Sequence, residues 1–190
     1  MRPHSRLRRV GRPGGLPHIV LAMISVTSVF AGDWSQAVEV RHEDALAVSY
    51  QARFDGPYLI VRANVGQGWH TFAMDNKKRA EEKLAGKQAL SIDRATEITP
   101  VAGVSVAGPW MQSQPKDFSR PELRWFSWGF EHQAIFAAKA QATAAPARVR
   151  LQGQACTETI CKNVDVTLAV PGGKASAAAE TSLKDLVALR

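Results

Sequence analysis

The sequence is poor in cysteine. Cys156 and Cys161 are its only two, so no thiol is left over once they pair. Beyond the N-terminal leader there is no second hydrophobic run, which excludes a membrane span from the mature chain. No Ser-His-Asp arrangement, phosphate loop or carboxylate pair stands out, so the common hydrolytic and nucleotide-binding chemistries find no footing. There is no internal repeat, and strands do not alternate with helices. The two cysteines also lack Cys-x-x-Cys spacing, so a thioredoxin fold is excluded.

What is present begins with the leader. Arg2, Arg6, Arg8, Arg9 and Arg12 carry positive charge with no acid among them. An apolar run from Ile19 follows and ends in Val29-Phe-Ala31. This is the pattern of a secretory signal peptide cleaved after Ala31. The run is shorter than the roughly 20 residues a spanning helix needs, and Ser and Thr interrupt it. The full chain carries a formal charge of +7. Removing the leader's five arginines leaves 19 basic and 17 acidic residues, a net +2. That balance is too small to point to nucleic acid.

About 160 mature residues suit one domain with an ordinary core. Val38–Arg41, Leu46–Phe54, Tyr58–Val65, Thr96–Thr99, Val101–Ala107, Leu123–Phe130 and Gln133–Ala142 read as strands, separated by turn signals such as Asp55-Gly-Pro57. Arg148–Gln152 and Val164–Val170 flank the cysteines and alternate in the same way. Pro109–Pro121 reads as a long loop with three prolines. One helix, Lys77–Ala85, is expected after a cap at Asp75 or Asn76; it is almost all charge and so belongs on the surface. The expected fold is all-β, an antiparallel β-sandwich over residues 32–171 with one short surface helix. Residues 172–190 are expected to form a flexible tail, with a weak amphipathic helical turn at Ser182–Leu189.

Gln154-Ala-Cys-Thr-Glu-Thr-Ile-Cys-Lys162 places the cysteines at the tip of a β-hairpin. Two readings stay open on spacing alone. The pair is a structural staple, worth roughly 2 kcal/mol for so small a loop, or it is a redox centre. A metal site built on Cys156, Cys161 and His70 or His132 has little support, because no histidine pair lies near the cysteines. No cofactor is implied.

Gly68-Trp-His-Thr-Phe72 and, far downstream, Leu151-Gln-Gly-Gln-Ala-Cys-Thr-Glu-Thr-Ile-Cys161 together resemble the N-terminal periplasmic domain of the thiol:disulfide interchange protein DsbD family. The resemblance covers residues 38–171. It implies an immunoglobulin-like sandwich and a redox-active Cys156–Cys161 disulfide. It also implies two-electron exchange from a membrane thiol-disulfide reductase to exported disulfide-bearing proteins. Two departures stand out. Lys162-Asn-Val164 follows the second cysteine where proline is common in that family. The sequence also carries neither the membrane carrier nor the thioredoxin domain of full-length members, so a separate reductase is expected. The competing expectation is a non-catalytic secreted sandwich module held by a staple disulfide.

Four further residues are drawn in. Lys162 adjoins Cys161 and favours its thiolate, whereas Glu158 disfavours that of Cys156, so Cys161 is the expected attacking sulfur. His70 is a candidate for tuning the pair, against an alternative in which it makes a structural hydrogen bond and Trp69 fills the core. In Trp125-Phe-Ser-Trp-Gly-Phe130, the resemblance implies a cap over the disulfide by Phe126 or Trp128. Strand alternation instead assigns the Phe126, Trp128 and Phe130 face to the core.

The leader gives the first prediction. N-terminal sequencing of protein from the native host returns a mature chain starting near Gly32, in the soluble exported fraction. Recovery from a membrane pellet with residues before Ile19 intact contradicts it.

Overall fold

A computed structural model describes residues 34–172 and 183–190. The leader, 1–31, and Ala175–Glu180 of the expected tail fall outside the described residues. The strands are β1 (Val38–His42), β2 (Ala45–Asp55), β3 (Tyr58–Val65), β4 (His70–Phe72), β5 (Glu97–Ala102), β6 (Val104–Val106), β7 (Met111–Ser113), β8 (Lys116–Asp117), β9 (Trp128–Phe130), β10 (Gln133–Ala142), β11 (Ala147–Cys156), β12 (Cys161–Val170) and β13 (Leu186–Ala188). One helix, α1 (Asn76–Leu84), interrupts them.

The strands form two antiparallel sheets in an immunoglobulin-like β-sandwich. The first runs β1-β2-β3-β10-β7-β13, with β6 beside the far half of β10. The second runs β12-β11-β4-β9-β8, with β5 beside the lower half of β11. Period-2 patterning explains which faces meet. Val48, Tyr50, Ala52 and Phe54 of β2 and Leu59, Val61 and Ala63 of β3 are buried in one cluster. Val149, Leu151 and Ala155 of β11 join them from the opposite sheet, with Val164 and Leu168 of β12. Trp69 completes the core, as expected. Among the described residues no helix is long and apolar enough to cross a membrane.

Three expectations are corrected. First, α1 is more than a surface decoration. Its charge hides a buried stripe of Asn76, Arg79, Ala80 and Leu84. Asp75 precedes it but does not cap it by a side-chain bond. The Asp75 carboxylate instead accepts from Arg79 Nε at 2.8 Å, Gln112 Nε2 at 2.7 Å and the Arg190 backbone N–H at 2.9 Å. Second, the end of the chain is a strand. β13 pairs with β7 through Leu186↔Ser113 and Ala188↔Met111, because Gln112 and Asp75 offer it an edge and an acceptor. Third, Leu123–Phe130 is not one strand. Pro121–Leu123 forms a 3-10 turn, Arg120 bridges Trp125, and only Trp128–Phe130 is regular strand. The proline-rich stretch before it supplies β7 and β8 rather than a featureless loop.

Asp75 carries the second prediction. Burial alone raises its carboxyl, but hydrogen bonds from Arg79, the Arg190 amide and Gln112, together with the Arg79 charge, hold it below its ordinary value. A carboxyl depressed in the folded state contributes stability that is complete above about pH 3.9, its unfolded value. That contribution is lost as pH falls through the folded value. Asp75→Asn leaves the buried Arg79 charge uncompensated and lowers stability by about 3–5 kcal/mol at neutral pH. Urea midpoints between pH 7 and pH 2 show the wild-type midpoint dropping on the acid side, and the variant lacks that part of the drop.

Candidate functional site

The β11–β12 hairpin aligns Cys156 directly opposite Cys161. Their Cα atoms are 4.0 Å apart, the close approach of a non-hydrogen-bonded antiparallel pair, and a disulfide joins the sulfurs. The turn is held locally. The Thr157 N–H donates to the Ile160 carbonyl at 2.8 Å, and the Thr157 hydroxyl oxygen accepts from the Ile160 N–H at 3.1 Å.

The two cysteines sit in different places although they face each other. β11 is flanked on both sides, by β12 and by β4 and β5, whereas β12 is a sheet edge. Cys156 is 2 % exposed. Cys161 is exposed. Lys162 is its neighbour in sequence, but strand alternation turns successive side chains to opposite faces. Lys162 therefore shares the face of buried Val164 rather than that of Cys161, and adjacency in sequence is no argument for a stabilised thiolate here.

His70 is the residue brought closest in register. β4 pairs with β11 so that His70 lies opposite Cys156. The Gly66-Gln-Gly68 turn delivers it. Gly68 adopts φ +77°, and a Cβ on Gly66 would collide with the Leu46 carbonyl oxygen. Among the described residues the imidazole has no hydrogen-bond partner of the kind expected from sequence; it stacks on Phe118 with ring centroids 4.9 Å apart and meets the edge of Phe72 at 5.2 Å. Burial pushes the His70 pKa below its ordinary value, against the upward pull of Asp93 and Glu131 and with a further downward push from Lys116. The ring is therefore mainly neutral at pH 7.

A cavity of about 450 Å³ opens beside the hairpin tip. Thr157 and Glu158, directly after Cys156, form one wall; His70, Phe118, Arg120 and Trp125 form another. The cysteines themselves are not among its lining residues. Phe118 and Trp125 come from the two arms of a hairpin around the 3-10 turn, tied by the Phe118 N–H to the Ser127 carbonyl at 2.9 Å and the Arg120 N–H to the Trp125 carbonyl at 2.7 Å. Lys116 approaches the Phe118 ring at 5.2 Å, and the Arg120 guanidinium the Trp125 ring at 5.5 Å.

Neither aromatic expected to shield the disulfide lines this cavity; the large aromatic rings in its wall are Trp69, Phe118 and Trp125. Trp128 is 8 % exposed and, with Phe130, belongs to the core; Phe126 is half-buried and packs against that core. Trp125 precedes the regular strand, is half-buried and stands in the cavity wall. Phe118 carried no signal of its own, since it lies in the stretch read as loop. His132 lines the cavity, yet among the described residues no three His, Cys, Asp or Glu side chains converge to hold a metal ion.

No protein-family model matches the chain, and no curated protein matches it. Among solved structures, the N-terminal domain of DsbD from Neisseria meningitidis, in its reduced form, is similar. The identity is 15 % and the TM-score 0.45, with 76 % of this chain and 91 % of that one covered.

Cover and core are separated by a third prediction. In the reduced protein, iodoacetamide labels Cys161 faster than Cys156. Phe118→Ala speeds labelling of Cys156 with little loss of stability. Trp128→Ala costs about 3–5 kcal/mol in urea unfolding, as expected for a large buried aromatic. Peptide mass spectrometry and urea midpoints read both effects; a Phe118 variant that loses stability like the Trp128 variant, with Cys156 still protected, contradicts the assignment.

Proposed function

We propose that this chain is an exported thiol–disulfide exchange domain of the periplasm, relaying two electrons from a membrane thiol-disulfide reductase to exported proteins through Cys156 and Cys161. The observation that carries the reading is the asymmetry of the pair. A staple needs neither sulfur to be reachable, whereas exchange needs one reachable sulfur and one held back to resolve the intermediate. Cys161, on the edge strand, is exposed, and Cys156 is buried beside His70.

The chemistry follows from that arrangement. A thiolate of the reductase attacks the Cys161 sulfur, the Cys156–Cys161 bond breaks, and Cys156 leaves with the electron pair. The reductase's second thiol then attacks its own sulfur in the mixed disulfide, leaving both cysteines reduced and the reductase oxidised. In the onward step the Cys161 thiolate attacks a disulfide in the exported protein, and Cys156 displaces the substrate sulfur to re-form the Cys156–Cys161 bond. Each half transfers two electrons and needs no cofactor. Exposed apolar side chains sit where a partner would approach: Ile160, next to Cys161, is 41 % exposed, and Leu123, at the tip of the aromatic hairpin, is 47 % exposed. The motif resemblance around Gly68–Phe72 and Cys156–Cys161 supports the same reading.

Removing the resolving thiol traps the partner, which gives the fourth prediction. Cys156→Ala, with Cys161 intact, accumulates thiol-sensitive covalent complexes with exported proteins or with a membrane reductase. Cys161→Ala accumulates far fewer, because its remaining sulfur is covered. Non-reducing gels of both variants from the native host read the result. Absence of adducts from both, with a wild-type bond that stays closed in strong reductant until the domain unfolds, assigns the pair to a staple.

A further inference from the structure

Four strands end the two sheet paths, and three of them are short or irregular. β1 carries a register shift between Val40 and Arg41, β8 has two residues and β13 has three. β12 differs. It has ten residues and pairs with β11 from end to end without a shift. Long regular edges are what proteins ordinarily blunt, because their open N–H and C=O groups template another strand.

The register says which groups are open. The Thr157 N–H donates to the Ile160 carbonyl, and Cys156↔Cys161, one step inward, is a non-hydrogen-bonded pair. Bonded and unbonded pairs alternate, so Lys162 and Val164 bond to β11 while Cys161, Asn163 and Asp165 turn their N–H and C=O off the sheet. Among the described residues none of these groups finds a backbone partner. Asp165, ion-paired with Arg150, closes the uncharged window of the edge. That window holds Asn163 and Cys161, the exposed sulfur of the pair.

We propose that this edge binds the exported partner through an extended segment, which adds antiparallel to β12 with its cysteine opposite Cys161. The inference rests on the exchange reading and names its substrate class: disulfides on extended stretches with one free backbone side. Geometry selects that register. A strand added at Cys161 exchanges both backbone bonds with it, and residues in such a pair stand about 5.5 Å apart at Cα. A disulfide spans about 5.5–6 Å between Cα atoms. The mixed disulfide therefore forms with neither strand displaced. Main-chain bonds also give affinity without demanding one side-chain sequence, which suits targets that share only a disulfide.

The test uses the reduced protein and a capped peptide, Thr-Val-Thr-Cys-Thr-Val-Thr, whose cysteine carries thionitrobenzoate in a mixed disulfide. The Cys161 thiolate attacks the peptide sulfur, and thionitrobenzoate leaves with the electron pair of the broken bond. Cys156 then displaces the peptide thiolate as the Cys156–Cys161 bond re-forms. Absorbance follows the first step. N-methylation of the peptide cysteine removes a pairing-side donor and slows release by about tenfold, the factor of one to two backbone bonds. N-methylation of a residue beside it, whose N–H faces away, changes release by less than about twofold. Asn163→Pro removes an outward donor while leaving the β11 ladder whole, and it slows the unmethylated peptide as much as cysteine methylation does. Asn163→Ala does not. Wild type and both variants react alike with the small symmetrical thionitrobenzoate disulfide. The methylated probes act on the wild-type protein, so they decide however the proline variant folds. Release that ignores the position of the methyl group overturns the proposal. So does an Asn163→Pro variant that keeps its urea midpoint but is slow with both probes, which makes the effect one of the thiol. So does a wild-type dimer that Asn163→Pro dissociates, which fills the edge with a second copy. No host partner is involved. Absence of trapped adducts overturns the exchange reading, whereas methyl-insensitive release from a protein that does trap adducts overturns this inference alone.

Discussion

A buried carboxylate needs several donors at once, and Asp75 finds them on three separate stretches of the chain. Arg79 comes from α1, Gln112 from β7 and the Arg190 amide from the end of the chain. Gln112, itself fully buried, uses its other side-chain atom to accept the Met74 N–H at 2.8 Å. The next residue, Asn76, continues the chain of contacts to Asp93 and Trp128. A network of this kind is stable when complete and costly when one member is missing, since each buried polar group left alone keeps its full desolvation penalty. The start of α1, the C-terminal strand and the aromatic hairpin are thereby placed together. Sheet pairing holds β13 to β7 and β9 to β4, and the polar network adds the start of α1 to both.

The position of a strand within its sheet accounts for the asymmetry of the cysteine pair. Cys156 and Cys161 are the same residue type, in register, joined by one bond. One lies on a strand with neighbours on both sides and the other on an edge. Edge strands expose backbone and side chain together and are usually a hazard that proteins blunt. Here Asp165, paired with Arg150, puts charge on the edge four residues past Cys161, while the first residue of the strand stays open. The buried partner lies opposite His70, which meets the edge of Phe72 and stacks on Phe118, so that one face of β4 carries an aromatic layer. Phe72, fully buried outside the main core cluster, belongs to that layer, and the Thr96 hydroxyl donates to its carbonyl at 2.6 Å.

Much of this was legible in the sequence, and the boundary of legibility has a physical cause. Alternating strands, the turn at Asp55-Gly-Pro57, the cysteine hairpin and the core position of Trp69 all follow from local patterns with a period of two or from turn chemistry, and all appear in the fold. The charge-rich helix was placed to within a residue, but its buried face was not foreseen. Arg79 and Asn76 look like surface residues until a distant carboxylate and a distant strand receive them. β13 was missed for the same reason: two half-buried residues and an exposed alanine become a strand only because β7, more than 70 positions earlier, offers an edge. Lys162 erred in the opposite direction. It is adjacent in sequence and turned away in space. Trp128 was open to two readings, cap and core, and it packs in the core; the 3-10 turn that carries Trp125 to the cavity wall has no period-2 signature.

Two classes of aromatic residue in a single hairpin follow from this. Trp128 and Phe130 are held by a packed core, where deleting a ring costs several kcal/mol. Phe118 is half-buried, stacked on His70 with Lys116 over its ring, and Trp125 is half-buried, bonded through its indole N–H to Asp93 with Arg120 over its ring, contacts worth on the order of 1 kcal/mol apiece. The hairpin can therefore open at its cavity side while its core side stays seated, because local opening free energies follow the number and kind of contacts broken rather than the stability of the whole domain.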